Sequence, residues 1–317
     1  MRTFFAAGEN NERLWATGFN DVLVSFASGS VQKNPPRNPQ WFLDSGAFSF
    51  FSAGDKDGSH TLGKYIEFLK GPASTHEIYA SLDVIGSASG SWRNDHAMRA
   101  EGLNPVAAVH FGEPHETIKR YLEAGVPYIA LGGYAGAMVK PRVAMKWINA
   151  VFSHIRDHFE KTGILVKIHG FGMMDEAILL SYPFYSVDST VWLISQRFGK
   201  VVLWDTEKVQ LAQINPKDKD LFYKAWRDYG LPLALVDGAV VDDARDLKAA
   251  WNIWNILDLA EFVTDVWTKR GIIWDDAPKW QASVDEERKW LMEKFPMAVE
   301  RRKAWKRVAP WTTPSLV

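Results

Sequence analysis

The stretch LVKIHGFGMMDEAILLSYPFYSVDST, residues 165–190, decides the fold. It opens on a short apolar run, 165–169, passes through a glycine-containing turn, and continues as a helical segment, 174–182. It closes on a second apolar run, 184–188. Strands covered on both faces read as short continuous apolar runs rather than as alternation. A strand, a helix and another strand in immediate succession form one unit of a parallel α/β sheet. Both strands end on a polar group capable of chemistry, His169 and Asp188.

Working outward, the same pattern recurs. Strand patterns fall at 21–28, 41–48, 78–85, 105–110, 128–132 and 200–204, and helical patterns at 61–70, 91–101, 114–124 and 139–161. The segment EPHETIKRYLEAG places Ile118, Tyr121 and Leu122 on one face and stops at Gly125. With 165–169 and 184–188 the strands number eight, which predicts a TIM-type (β/α)8 barrel. The competing arrangement is an open doubly wound sheet. Its nucleotide-binding form is weakened because no GxGxxG follows the first strand. After residue 215 the strand signals fade, and 217–229, 243–269 and 284–308 read as helices. The expected organisation is a catalytic barrel over 1–215 and a helical C-terminal extension over 216–317, packed on the barrel.

Composition narrows the chemistry. Hydrophobic residues make up 47% of the 317-residue chain and charged residues 24%, values of a globular protein with a full core. Cysteine is absent, which excludes disulfides, thiolate zinc sites, iron–sulfur clusters and a cysteine nucleophile. Thirty-seven basic residues against 38 acidic ones give a net charge of −1, so any basic surface for a polyanion must be local. The run ERRKAWKR at 300–307 is the densest basic cluster. Arg301, Arg302, Lys303, Lys306 and Arg307 read either as a solvated helix face or, with Arg197 and Lys200, as contacts to phosphate. Nine of the 15 tryptophans lie after residue 220, as core side chains of a helical layer or as a stacking surface. The longest uncharged run, Ala124 to Val139, carries four glycines and a proline and predicts no membrane span. The N-terminal apolar stretch is too short for a signal peptide, and a cytoplasmic location is expected. His154 and His158 stand four apart, but no glutamate sits where a helical zinc motif needs it.

In a barrel of this type the chemistry sits at the C-terminal ends of the strands. The groups ending the strand patterns are Asp44, Asp83, His110, Gly132 with Gly133, His169 and Asp188. Two carboxylates at one centre suit reaction at a glycosidic carbon. One attacks the carbon and holds it as an ester, while the other manages the proton of the departing or arriving group. A carboxylate such as Asp83 can accept from an N–H and an NH2 lying side by side, the pattern of a guanine edge. The glycine pair admits close backbone approach. Phe48, Phe50, Phe51, Tyr134 and Phe171 can keep water from an ester.

Five segments in order, LDSGAFS (43–49), SLDVIG (81–86), ALGG (130–133), KIHGFGM (167–173) and YPFYSVDST (182–190), resemble the tRNA-guanine transglycosylase superfamily. The resemblance is closest to its phage and bacterial branch, the DpdA-type enzymes that insert 7-deazaguanines into DNA. It covers residues 20–205 and not the C-terminal helices. It implies that Asp188 is the nucleophile that attacks C1′ and expels guanine, and that Asp44 is the general acid/base. It implies that Phe48 stacks on the base and that His169 lies near the residue covering the base's other face. Asp83 would recognise the guanine amino and ring N–H groups. His110 stands where the family has a glutamine facing the base's carbonyl. Gly132 and Gly133 would approach the base through the backbone, and Ser45 would lie near base or sugar.

Two departures matter. Without cysteine the family's structural zinc cannot be built, which favours the phage-like branch and puts tRNA docking in doubt. His110 in place of glutamine bears on which 7-deazaguanine is accepted. The expectation is therefore a DNA-guanine transglycosylase, a pentosyltransferase acting on DNA and a free 7-deazaguanine of the preQ0 type, with no zinc or other cofactor. The rivals are a tRNA-guanine transglycosylase, an N-glycoside hydrolase and, from another class, a non-catalytic nucleic-acid-binding subunit.

Overall fold

The computed structural model describes residues 1–6, 21–29, 31, 40–133, 141–194, 198–215, 217–231 and 243–294. The chain divides into two compact units. One comprises Met1–Thr190 with Ala260–Ser283, the other Val191–Leu259 with Val284–Val317. The division falls after Thr190 rather than at 215, and the chain re-enters the first unit near its end.

The first unit is an α/β fold around a curled sheet of eight parallel strands. The strands are β1 (Arg2–Ala6), β2 (Val22–Ser25), β3 (Phe42–Asp44), β4 (Ile78–Tyr79), β5 (Ala107–His110), β6 (Tyr128–Gly132), β7 (Lys167–Gly170) and β8 (Ser186–Ser189). Between them run α1 (Ala47–Ser52), α2 (Leu62–Lys70), α3 (Ala88–Ala100), α4 (Thr117–Glu123), α5 (Pro141–Thr162) and α6 (Glu176–Ser181). The hydrogen-bonded order is β4-β3-β2-β1-β8-β7-β6-β5. Beyond the end of β4 and before β5, an isolated parallel bridge joins Ala80 and Val106, where Ser81 N–H donates to the Val106 carbonyl and Val106 N–H to the Tyr79 carbonyl, each at 2.8 Å.

Curling follows from what lies inside. Phe4, Ala6, Leu23, Phe42, Ala80, Val106 and Ala130, from β1, β2, β3, β6 and the β4–β5 junction, form one buried cluster. The Phe42 and Tyr128 rings, from β3 and β6, stand 6.4 Å apart although four strands separate them in the sheet. Side chains alternate across a strand, so Asp44 shares the inner side with Phe42, and Asp188 shares it with Ser186.

Seven of the eight expected strands enter this sheet, and 200–204 does not. It forms β9 (Val201–Asp205), paired antiparallel with β10 (Gln210–Ile214) in the second unit. The eighth place belongs to β1, which pairs with β2 on one side and β8 on the other. RTFFA is brief and carries an arginine, which masks its strand signal. That arginine is itself buried, paired with Asp21 through Nη2 at 2.6 Å.

The second unit joins the β9–β10 hairpin to α7 (Lys219–Tyr229), α8 (Asp243–Lys269, of which the part to Leu259 belongs here) and the end of α9 (Ala277–Lys294). The stretch after 190 is thus not wholly helical. Its core gathers Val201, Leu203, Ile214, Phe222, Tyr229 and Trp251. Trp251 is a buried side chain of this core, and Trp280, which belongs to the first unit, is buried too. Among the described residues no helix is long and apolar enough to cross a membrane. Arg301, Arg302, Lys303, Lys306 and Arg307, with Arg197 and Tyr134, lie outside the described residues.

Candidate active site

The β3 end builds the first part of the site. Asp44 closes the strand, and Gly46, with φ of 75°, turns the chain into α1. A Cβ on Gly46 would stand 2.6 Å from Ala27 Cβ, so the turn requires glycine. The Gly46 N–H donates to Asp44 Oδ2 at 3.2 Å. Ser45 is fully buried and its hydroxyl donates to Asp83 Oδ1 at 3.2 Å.

Asp83 and His110 follow from β4 and β5. Nε2 of His110 lies 3.1 Å from Asp83 Oδ2. On the other side of the ring, Nδ1 lies 3.5 Å from Oε1 of the buried Glu113. Burial alone would lower the His110 imidazole's proton affinity, but the neighbouring carboxylates of Asp83 and Glu113 outweigh it and push the pKa up to about 10. His110 is thus an imidazolium held between two carboxylates. Its ring nitrogens face Asp83 and Glu113, so in this arrangement it aligns Asp83 rather than offering a free N–H to a ligand's carbonyl. Gly132 packs against it, and a Cβ there would stand 3.3 Å from the imidazole. Gly133, at φ of 85°, carries the chain past Phe111.

β7 and β8 supply the rest. Asp188 is buried, and its Oδ1 accepts from the Gly172 N–H at 2.9 Å and lies 3.2 Å from His169 Nε2. Among the described residues Oδ2 takes no hydrogen bond. His169 is wholly inaccessible, packed on the Phe42 and Phe171 rings at 4.7 Å each. Being wholly buried, it lies behind the strand-end surface, and the expectation placed it near, not at, the position covering a base's other face. Its Nδ1 meets the Ser186 hydroxyl at 2.7 Å. Burial holds its pKa below the ordinary imidazole value, against the pull of Asp188.

The three aspartates share one electrostatic environment. Burial raises the Asp44 pKa to about 7, and the neighbouring charges of Asp83 and Asp188 add to the rise. Hydrogen bonds from Gly46 and Ser25 oppose it. Asp44 and Asp188 therefore lie within each other's field at the same end of the sheet. Asp44 is part-buried and near half-protonation at neutral pH, the range suited to giving and taking a proton. Phe48, expected to stack, is 69% exposed on the first turn of α1 and stands available rather than packed.

Sequence reasoning missed Glu113, Ser186, Tyr128 and Gly172. Glu113 lies three residues beyond His110, and Ser186 two before Asp188 on the same strand face. Both spacings were readable once the strands were placed. Among the described residues no cluster of histidine, aspartate and glutamate has the arrangement of a metal centre. No known protein-family model matches the chain, and no curated protein matches it.

Proposed function

We propose that the protein is a guanine-exchanging transglycosylase acting on DNA, built on a closed (β/α)8 barrel and working in the cytoplasm. The observation that carries this reading is the differentiated aspartate pair. Asp44 has a pKa near neutrality, and Asp188 Oδ1 accepts from Gly172 N–H and lies against His169 Nε2, while among the described residues Oδ2 takes no hydrogen bond. Two carboxyl groups tuned to different tasks mark an acid/base and its partner. The parallel bridge at Ala80 and Val106 supports barrel closure.

In the first half of the exchange, Asp188 attacks C1′ of a deoxyguanosine unit extruded from the stack. A C–O bond forms as the C1′–N9 bond breaks. The electron pair passes to N9, and Asp44, in its acid form, supplies the proton. In the second half, the incoming 7-deazaguanine loses its ring N–H proton to the Asp44 carboxylate. Its nitrogen attacks C1′, and the ester opens to return the Asp188 carboxylate. Two displacements retain configuration, and the steps consume neither ATP nor a redox equivalent.

Asp83 is the reader of the guanine edge. Ser45 and His110 fix its two oxygens, leaving their remaining lone pairs for the N–H and NH2 of the base. The imidazolium of His110 beside it offsets the cost of keeping a carboxylate in a pocket with two others.

The test is mass spectrometry of nucleosides from DNA incubated with the protein and candidate 7-deazaguanines, with tRNA in parallel. Exchange in DNA supports the reading. Exchange in tRNA alone, or abasic DNA without incorporation, would move the assignment to an RNA enzyme or an N-glycoside hydrolase. No reaction with any polymer would leave a binding subunit.

A further inference from the structure

Two positions before Asp188, Ser186 lies on the same inner face of β8. Its Oγ stands 2.7 Å from His169 Nδ1 and also makes a short hydrogen bond with the Tyr128 hydroxyl. On the other side of the imidazole, Nε2 reaches Asp188 Oδ1 at 3.2 Å. Tyr128, His169 and the pair Ser186 and Asp188 come from three adjacent strands, β6, β7 and β8. They form a single file that ends on one carboxylate oxygen.

Hydrogen bookkeeping fixes the direction of that file. An ionised carboxylate only accepts, so the hydrogen between His169 and Asp188 belongs to Nε2. In a neutral ring Nδ1 is then a bare acceptor. Ser186 must donate to it, and Ser186 Oγ in turn accepts from Tyr128. Each hydrogen points toward Asp188, and each acceptor on the path is filled. The ring sits wholly buried among Phe4, Phe42 and Phe171, surroundings that disfavour an imidazolium. His110, the other histidine of the site, is instead flanked by two carboxylates. The two histidines therefore have opposite environments and opposite jobs.

We propose that Tyr128, Ser186 and His169 form a positioning chain that locks His169 as its Nε2–H tautomer, pins Oδ1 of Asp188 and thereby presents Oδ2 to the reacting carbon. This deepens the base-exchange reading and rests on it for the identity of that carbon. No proton travels along the chain. Its work is to select which carboxylate oxygen attacks and to hold it in line. His169, Ser186 and Tyr128 are thus positioning residues, while Asp188 is catalytic.

The tautomer is read directly by nitrogen-15 NMR of the intact protein labelled at histidine, with His169 assigned by comparison with His169→Gln. The expected spectrum near neutral pH has a protonated Nε2 and a bare Nδ1. A protonated Nδ1, as the other tautomer or as an imidazolium, overturns the proposal. Kinetics supply the second arm. Ser186→Ala removes the donor to Nδ1 and should lower kcat roughly tenfold or more, by comparison with the outer partners of metal-bound histidines. KM for the free base should stay within about threefold, because transition-state alignment rather than binding is lost. Ser186→Thr, which keeps the hydroxyl, should recover most of the rate, and Tyr128→Phe should give a smaller loss. An unchanged kcat in Ser186→Ala overturns the positioning role. A wild-type protein that exchanges no base, yet shows the Nε2–H tautomer, would defeat the functional reading and leave the chain as assigned.

Discussion

Asp44 titrates near neutrality because burial and two neighbouring aspartates disfavour its charge. The sign of the linkage follows. Its pKa is about 7 in the folded chain against 3.8 for a free aspartate, so the folded state holds the proton more tightly. The associated stability is full below pH 3.8 and is lost as the pH rises through 7. Asp44→Asn, which cannot ionise, should therefore raise the melting temperature by a few degrees above neutral pH and make little difference in acid, as a calorimetric pH series would register. The same variant should lose roughly 10²-fold or more in base exchange. A gain in stability bought with lost activity is the mark of a strained functional group. His110 titrates in another window. Its pKa is about 10 against 6.5, so its contribution to stability is full below 6.5 and fades as the pH rises through 10. Glu113→Gln should lower that pKa, seen as a shift in the His110 titration by NMR, and an unmoved titration would show that Asp83 alone holds the charge. The sequence revealed which groups end the strands but not their pairings. His169 and His110 look alike as strand-end histidines. Only packing shows that one is enclosed by rings and the other flanked by carboxylates.

At the scale of elements, turns and edges carry the precision. Gly46 combines positive φ with contact to Ala27, so Gly46→Ala should destabilise the fold by about 2 kcal/mol or more and disturb both Asp44 and Ser45. Chemical denaturation with an exchange assay on the surviving folded protein would check it. In the second unit, α8 closes an edge of the hairpin with side chains. Asn252 Oδ1 accepts from Val202 N–H at 2.8 Å and Asn255 Oδ1 from Trp204 N–H at 3.0 Å, while Trp251 Nε1–H donates to the Val202 carbonyl at 2.8 Å. These groups replace a neighbouring strand and keep edge donors from being buried unpaired. Asn252→Ala should cost about 1–3 kcal/mol in urea denaturation. Helix positions were legible because their periodicity is local; 243–269 is found as the helix Asp243–Lys269. Strand membership was less so. The run at 2–6 is short and interrupted by an arginine, 200–204 is short and mostly apolar, and nothing local states which partner each will find. Strand pairing is set by tertiary contacts, and one of the two was assigned to the wrong sheet.

For the whole molecule, the parallel order with β1 between β2 and β8 gathers residues far apart in sequence at one end of the sheet. Asp44, Asp83, His110, Gly132 and Asp188 were expected together, and their separation along the chain disappears only through that topology. The near-zero net charge leaves binding of a polyanion to local basic groups. If the 300–307 run serves DNA, changing Arg301, Arg302, Lys303, Lys306 and Arg307 to Gln should weaken binding and flatten its dependence on salt. An unchanged slope in a fluorescence titration would assign that run to a solvated surface. The claim on which the account turns is that Asp44 and Asp188 divide the work at one anomeric carbon. Its most direct test is incorporation of a labelled base into DNA, followed by intact-protein mass spectrometry for a sugar ester. Wild-type protein should incorporate the label, Asp188→Asn should lose roughly 10³-fold or more, and a trapped adduct should map to Asp188 in the wild type. Undiminished incorporation by Asp188→Asn, or an adduct mapped to another residue, would contradict it.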